Sequence, residues 1–261
     1  MFELILLGGF AFAVSLLTLF SGFGLGTLLL PAFVWFMPVE AAVATTALVH
    51  AANNLFKLFL LGRAANKKVL MRFGLPAVVM AFVGAYALTR FSGAGVLYQW
   101  EFLGREAEVS SIKIVLGSLI LAFALFELVP RLQKMRVSSR YLSLGGAMSG
   151  FFGGLSGHQG ALRAAFLTPL GLSSSEFVAT QAVLAVMVDA ARLLIYGWAF
   201  VLLKNTSVEI PWNLVAVASV SAFAGAVLGK KMLHKVTMHS IRLLVGSLLL
   251  LVGAALVAGI A

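Results

Sequence analysis

The chain has 261 residues, 61% of them hydrophobic and 11% charged, and its mean hydropathy is +1.05. This composition excludes a soluble domain and predicts a protein that lies in a lipid bilayer. A net charge of +10 could indicate a nucleic-acid partner, but the basic residues are concentrated in three short loops, so none is expected. Because there is no cysteine and the four histidines are scattered, no disulfide, metal site or other cofactor is predicted.

Long apolar runs follow one another along the chain, and most are long enough to cross a ~30 Å hydrocarbon core as helices. The predicted fold is an all-α integral membrane protein with a single membrane domain made of two repeats. The first repeat spans 1–130, with a hairpin over 2–36 and helices over 39–62, 73–90 and 112–129. The second spans 141–261, with a hairpin over 141–171 and helices over 175–203, 212–229 and 241–260.

The repeat itself is visible in polar residues that recur at a spacing of about 135 residues. These pairs fall in register without a gap: Thr45 with Thr180, Asn54 with Asp189, and Lys57 with Arg192. Apolar matches mean little in such a chain, whereas polar matches in register are hard to explain by chance. In membrane proteins two copies of one helical unit are typical of transporters.

The distribution of charge predicts the topology. The loops over 63–72, 131–140 and 230–242 contain basic residues and no acid, so they are expected to be cytoplasmic, with both termini outside. Counting crossings between these loops leaves the runs 2–36 and 141–171 as re-entrant hairpins that enter from opposite faces. The two repeats would then be inverted, with broken helices that line a cavity near mid-membrane.

Glycine-rich turns at the tips of the hairpins are predicted over 21–26 and 153–160. Glycine lets a ligand approach backbone N–H groups, and the helix after such a turn presents the positive end of its dipole, so the turns favour an anion. One alternative is that the glycines only permit tight helix packing. Another is that Arg163, near the start of the second half-helix, snorkels or donates hydrogen bonds to carbonyls of a neighbouring helix. The predicted substrate-binding residues of the hairpins are Gly22, Gly24, Gly157, His158, Gln159 and Arg163.

A polar stripe follows one face of the helix over 39–62, since Thr46, His50, either Asn53 or Asn54, and Lys57 recur at helical spacing. Such a stripe predicts a cavity on that side. Alternatively, Lys57 snorkels to the membrane surface, and Asp189 with Arg192 forms an internal ion pair that is purely architectural. The further candidates for substrate binding are His50, Asn54, Lys57, Gln181 and Arg192, and those for proton coupling are Asp189 and His50.

An enzyme is the alternative from another class. The segment from Gly154 to Gly157 reads as the G-x-S-G motif of an intramembrane serine hydrolase, with Ser156 as nucleophile and His50 as base. The motif is common in glycine-rich turns, and the hypothesis requires the two side chains to approach within ~3.2 Å. A non-transporting receptor or scaffold is a third alternative, which explains neither buried cations nor paired broken helices.

At these residues the chain resembles the sulfite exporter TauE/SafE family of polytopic membrane proteins. The resemblance rests on Gly22-Phe23-Gly24-Leu25-Gly26 with Val43-Ala44-Thr45-Thr46, and on the segment 154–160 with Val178-Ala179-Thr180-Gln181. It implies a non-enzymatic secondary transporter, often an exporter, of sulfite, organosulfonates or related small anions. The expected location is the bacterial plasma (inner) membrane, and the expected partners are lipid and the anion. The oligomeric state stays open, a homodimer included.

Overall fold

The computed structural model describes residues 2–18, 25–61, 64–92, 94–133, 137–199, 209–232 and 238–260. Over these residues the chain is mostly helical. The helices of the first half are α1 (Phe2–Thr18), α2 (Leu25–Val34), α3 (Val39–Leu61), α4 (Lys67–Ser92), α5 (Ser111–Leu128) and the short α6 (Pro130–Gln133). Those of the second half are α7 (Leu142–Ser156), α8 (Gly160–Leu167), α9 (Ser174–Gly197), α10 (Trp212–Met232) and α11 (Met238–Val257).

Four of the described helices, α4, α5, α9 and α10, are long and apolar enough to span a membrane. Helix α3 has 23 residues, but its polar stripe lowers its hydropathy. Helix α4 begins before the predicted start at 73, because the Asn66 side chain accepts a hydrogen bond from the Val69 N–H and caps it. Its residues Leu70–Gly74 form a π-helical turn. Helix α9 begins with a capping box formed by Ser173 and Glu176.

The loop expected between α4 and α5 contains a β-hairpin of strands β1 (Val96–Phe102) and β2 (Arg105–Ser110), which pair antiparallel. Leu103 and Gly104 join them with positive φ angles of 51° and 74°, as a two-residue turn between twisted strands requires. The hairpin contacts the end of α11, since Trp100 Nε1 donates a hydrogen bond to the Ala258 carbonyl at 2.8 Å. No strand was predicted for this loop from the sequence.

The helices pack in four extensive pairs: α1 with α10, α4 with α7, α5 with α11, and α3 with α9. In the α4–α7 pair, one face of α7 presents Gly146, Gly150 and Gly154 to α4. A Cβ atom at Gly150 would lie 2.0 Å from the Ala77 carbonyl oxygen, and one at Gly154 would lie 2.1 Å from that of Ala81. The two backbones are therefore in contact, and for Gly154 the packing alternative describes the structure.

We expect Gly150→Ala to destabilise the protein by about 1–3 kcal/mol, because its methyl group overlaps the α4 backbone. The measurement is the melting temperature of the purified protein in detergent. The matched control is Gly9→Ala in α1, where a Cβ meets no atom within 4 Å, so that helix should be unaffected or slightly stabilised. Equal melting temperatures for the two variants would contradict the close α4–α7 contact.

Candidate functional site

The centre of the site lies where α3 packs against α9, around the carboxylate of Asp189. Its Oδ2 atom is 2.7 Å from His50 Nδ1, and its Oδ1 atom is 3.0 Å from Arg192 Nε and 2.8 Å from Arg192 Nη2. All three side chains are at most 2% exposed. The internal ion pair between Asp189 and Arg192 is therefore present, and His50 shares it.

The hydrogen bonds around His50 assign its tautomer. An ionised carboxylate can only accept, so His50 Nδ1 carries the proton that it shares with Asp189. Asn54 Nδ2 donates to the His50 carbonyl at 2.9 Å and lies 3.2 Å from each ring nitrogen. The imidazole of His50 is therefore held between the Asp189 carboxylate and the Asn54 amide.

A second cationic group comes from α8 and joins α9. Arg163 Nε donates to Gln181 Oε1, and Arg163 Nη1 donates to Gln159 Oε1 at 3.3 Å. These bonds fix both amide groups with their oxygens toward Arg163. The Nε2 atoms of Gln159 and Gln181 are buried and have no hydrogen-bond partner among the described residues. Two amide donors therefore point away from Arg163 without an acceptor.

The turn between α7 and α8 is shorter than predicted. The residues from Gly153 to Ser156 belong to the last turn of α7, and only Gly157, His158 and Gln159 separate the helices. Gly157 has a φ of 82°, and a Cβ on it would lie 2.6 Å from Arg192 Nη1. Glycine is needed here both for the left-handed backbone and for the contact with the guanidinium group of Arg192.

The imidazole of His158 is buried beside this turn. Its ring stacks on Phe123 with centroids 5.6 Å apart, its Nδ1 lies 3.1 Å from Ser156 Oγ, and its Nε2 has no partner among the described residues. Tyr196 also belongs to the site, since its hydroxyl donates to the Gly154 carbonyl at 2.5 Å. Sequence reasoning missed Tyr196, although it follows Arg192 by four residues and so shares its face of α9.

Lys57 is buried within the protein, at 7% exposure. It has no hydrogen-bond or ion-pair partner among the described residues. Its charge and that of Arg163 interact electrostatically, as do those of Arg163 and Asp189. Lys57 and Arg163 are therefore parts of the same charged site as the Asp189 centre.

The balance of buried charge is uneven. Three cations of the described chain are buried, Lys57, Arg163 and Arg192, against the carboxylates of Asp189 and Glu127. Glu127 lies near the end of α5 and makes a separate interaction of its own. Of the described carboxylates, Asp189 acts on Arg163 and Arg192, and none acts on Lys57. With His50 neutral, the site has a surplus of two positive charges.

The described structure gives no support to the hydrolase alternative. Ser156 Oγ donates to the Phe152 carbonyl at 3.1 Å and contacts His158, whereas the His50 ring is occupied by Asp189 and Asn54. No hydrogen bond joins Ser156 to His50, although both residues are described. The nucleophile–base contact that the hypothesis requires is missing.

Two predicted substrate residues, Gly22 and Gly24, lie outside the described residues. Leu25 and Gly26, which were predicted as part of the same turn, are the first residues of α2. A Cβ on Gly26 would lie 3.5 Å from the His50 ring, so the start of α2 faces α3 at the level of the site. Within the described part of the chain, no cluster of histidine and acidic side chains could hold a metal ion.

A cavity of about 790 Å³ lies away from the cationic site. It opens between the start of α1, the α2–α3 connection and the start of α10, and its lining includes Glu3, Glu40 and Glu209. These carboxylates would repel an anion, so the cavity is unsuited to hold the predicted substrate. The candidate site is the buried cluster on α3, α8 and α9.

Taken together, these helices and their centre define a polytopic membrane protein with a buried, cation-rich polar site at the level of a broken helix. The chain belongs to the sulfite exporter TauE/SafE family, whose family model matches residues 7–256. Members of this family are transporters and not enzymes, so the chain is a membrane transporter of the sulfite and anion exporter type. No curated protein matches the chain significantly.

We expect Asp189→Asn to destabilise the protein by about 3–5 kcal/mol, because it leaves the buried Arg192 without its carboxylate. The double variant with Arg192→Gln should recover part of this loss, since it removes the unpaired charge as well. Melting temperatures in detergent measure both effects. An Asp189→Asn variant that melts like the wild type would contradict a central role for this carboxylate.

Proposed function

We propose that this transporter moves a small oxyanion, sulfite or an organosulfonate, across the membrane by alternating access. The anion binds between the α1–α2 and α7–α8 hairpins, where both helices are broken. One observation carries the proposal: the site contains three buried cations, Lys57, Arg163 and Arg192, and one carboxylate, Asp189. Uncompensated charge at membrane depth is costly, and a bound anion offsets that cost.

The unpaired polar atoms support the same conclusion. The Nε2 atoms of Gln159 and Gln181 and the Nη1 atom of Arg192 are buried donors without partners among the described residues. All three can only donate, so the missing group must be an acceptor, and an oxyanion offers acceptors without donors. Helix α8 begins at Gly160, directly after Gln159, and directs the positive end of its dipole to the same turn.

Each predicted site residue has a role in this proposal. Arg163, Arg192 and Lys57 supply the positive charge, while Gln159, Gln181 and His158 supply neutral polar groups that orient the anion. Gly157 allows Arg192 to lie against the turn, and Gly22 and Gly24 provide the corresponding backbone N–H groups of the first hairpin. His50 and Asn54 hold Asp189, which in turn holds Arg192.

The packing of the helices supports a two-fold repeat, which the proposal takes as inverted. If the two halves are exchanged, so that α1 replaces α7 and α4 replaces α10, the α1–α10 pair becomes the α7–α4 pair. The α3–α9 and α5–α11 pairs are exchanged with themselves. The four extensive contacts of the structure are the ones that such a two-fold relation produces. In our proposal the two halves rock in opposite senses around the site and open it to each side in turn.

The orientation follows from charge. The proposal places the loops 63–72, 131–140 and 230–242 in the cytoplasm and both termini outside, in a bacterial inner membrane. The end with Glu3, Glu40 and Glu209 is then external. An anion would meet basic loops on the cytoplasmic side and carboxylates outside, which favours its entry from the cytoplasm.

We expect proteoliposomes with the wild-type protein to show saturable sulfite uptake that Arg163→Ala abolishes. The substitution removes a buried cation and releases the two glutamine amides that it orients. The matched control is Arg90→Ala at the exposed end of α4, which should leave the flux unchanged. Screening sulfate, taurine, sulfoacetate and simple carboxylates beside sulfite identifies the preferred anion. If folded wild-type protein moves none of them, the proposed function fails.

In the same mechanism, proton coupling runs through the His50–Asp189 pair, which joins a titratable ring to the carboxylate that holds Arg192. We expect an imposed pH gradient to drive sulfite uptake by the wild type. His50→Asn and Asp189→Asn should each uncouple uptake from the gradient, while exchange of sulfite without a gradient persists in His50→Asn. Unchanged gradient-driven uptake in both variants would exclude this pair as the coupling site.

A further inference from the structure

We infer that the site selects its anion by charge, taking a dianion in preference to a monoanion of the same shape, and that Lys57 sets this preference. The inference rests on the proposed function and narrows its substrate class. It favours sulfite in its doubly charged form, or an organosulfonate with a second acidic group, over singly charged sulfonates. The charge and contacts of the buried cations carry it.

Every aspartate and glutamate of the chain has a described position. The chain has nine acidic residues, all in the described part, and the remaining stretches contain neither aspartate nor glutamate. Seven of the nine are exposed or only partly buried, which leaves Asp189 and Glu127. Glu127 has its own interaction and is not among the charges that act on Lys57, Arg163 or His50. No further acid can therefore neutralise the site.

The contacts neutralise one of the three buried cations, Arg192, and leave Arg163 and Lys57 without a carboxylate partner. Asp189 forms a two-atom ion pair with Arg192, which pairs one positive charge with one negative charge. The hydrogen-bond partners of Arg163 are the neutral amides of Gln159 and Gln181. Lys57 has no partner among the described residues. Two cations are left without a counter-charge.

Electrostatic attraction favours the anion that balances both uncompensated cations. In a buried site the attraction between charges is much stronger than in water, so each uncompensated charge weighs heavily in the free energy of binding. A dianion balances both Lys57 and Arg163, whereas a monoanion of the same size leaves one of them unbalanced. We expect the dianion to bind at least about tenfold more tightly.

Replacing Lys57 tests whether the number of uncompensated cations sets the preference for a dianion. Arg163 and Arg192 also position amides, the turn and a carboxylate, so replacing either one changes more than charge. Lys57 makes no described hydrogen bond, and Lys57→Gln removes its charge at similar length. The variant site has a surplus of one charge and should have lost most of its preference for a dianion.

The experiment compares sulfite with chlorate, which are isoelectronic pyramidal oxyanions that differ by one charge. Each is titrated separately into the purified wild type, Lys57→Gln and Lys57→Arg, at a pH above the second pKa of sulfite. We expect wild type and Lys57→Arg to bind sulfite at least about tenfold more tightly than chlorate, and Lys57→Gln to lose about tenfold of this ratio. Lys57→Met serves as the neutral variant if Lys57→Gln does not fold.

The outcomes separate this inference from the proposed function. Equal affinity of the wild type for sulfite and chlorate, or an unchanged ratio in the neutral variant, would overturn charge selection while leaving an Arg163-dependent anion transporter intact. Failure of the wild type to bind either anion or to transport sulfite would overturn both. A ratio that follows the charge of residue 57, retained by arginine and lost with glutamine, would support charge selection by Lys57.

Discussion

The structure of the site depends on one buried carboxylate. Asp189 lies between His50 of α3 and Arg192 of its own helix. All three side chains are buried, so bulk water does not stabilise their charges. Because it accepts from both residues, it connects the two helices that form the centre of the molecule. It also holds the Arg192 guanidinium against Gly157, where the broken helix turns. The position of the cation and the position of the turn are thus set by the same interaction.

The remaining cations are arranged differently, and that difference gives the site its chemistry. Arg163 is held by two glutamine oxygens, which provide geometry without negative charge, and their amide nitrogens are left as unpaired donors. Lys57 is held by packing alone among the described residues. The described residues of this buried cluster supply too few hydrogen-bond acceptors and too little negative charge for its donors and cations. In the proposed function an oxyanion provides both, and the same residues account for its binding and for the selection of its charge.

Many residues of the site could be predicted from the sequence, but the contacts between them could not. Helical spacing placed His50, Asn54 and Lys57 on one face of α3, and the match of Lys57 with Arg192 placed a cation at the equivalent position of the other repeat. Spacing gives a face and not a contact, so the role of Tyr196 and the bridge from Arg163 to Gln181 were beyond its reach. Glycines were equally ambiguous: Gly154 was assigned to the turn and instead packs on the α4 backbone. The β-hairpin was missed because its loop was considered only for its charges.

The most direct measurement of the central claim is the location of a bound anion in an experimental structure. Selenite is a heavier analogue of sulfite, and the anomalous scattering of selenium identifies its position in a crystal without ambiguity from water. The proposed function predicts a selenium peak at a position from which the selenite oxygens can accept hydrogen bonds from Arg192 Nη1 and the Nε2 atoms of Gln159 and Gln181. Selenium bound only at the basic loops, or in the cavity lined by Glu3 and Glu209, would contradict the assignment of the buried cationic cluster as the transport site.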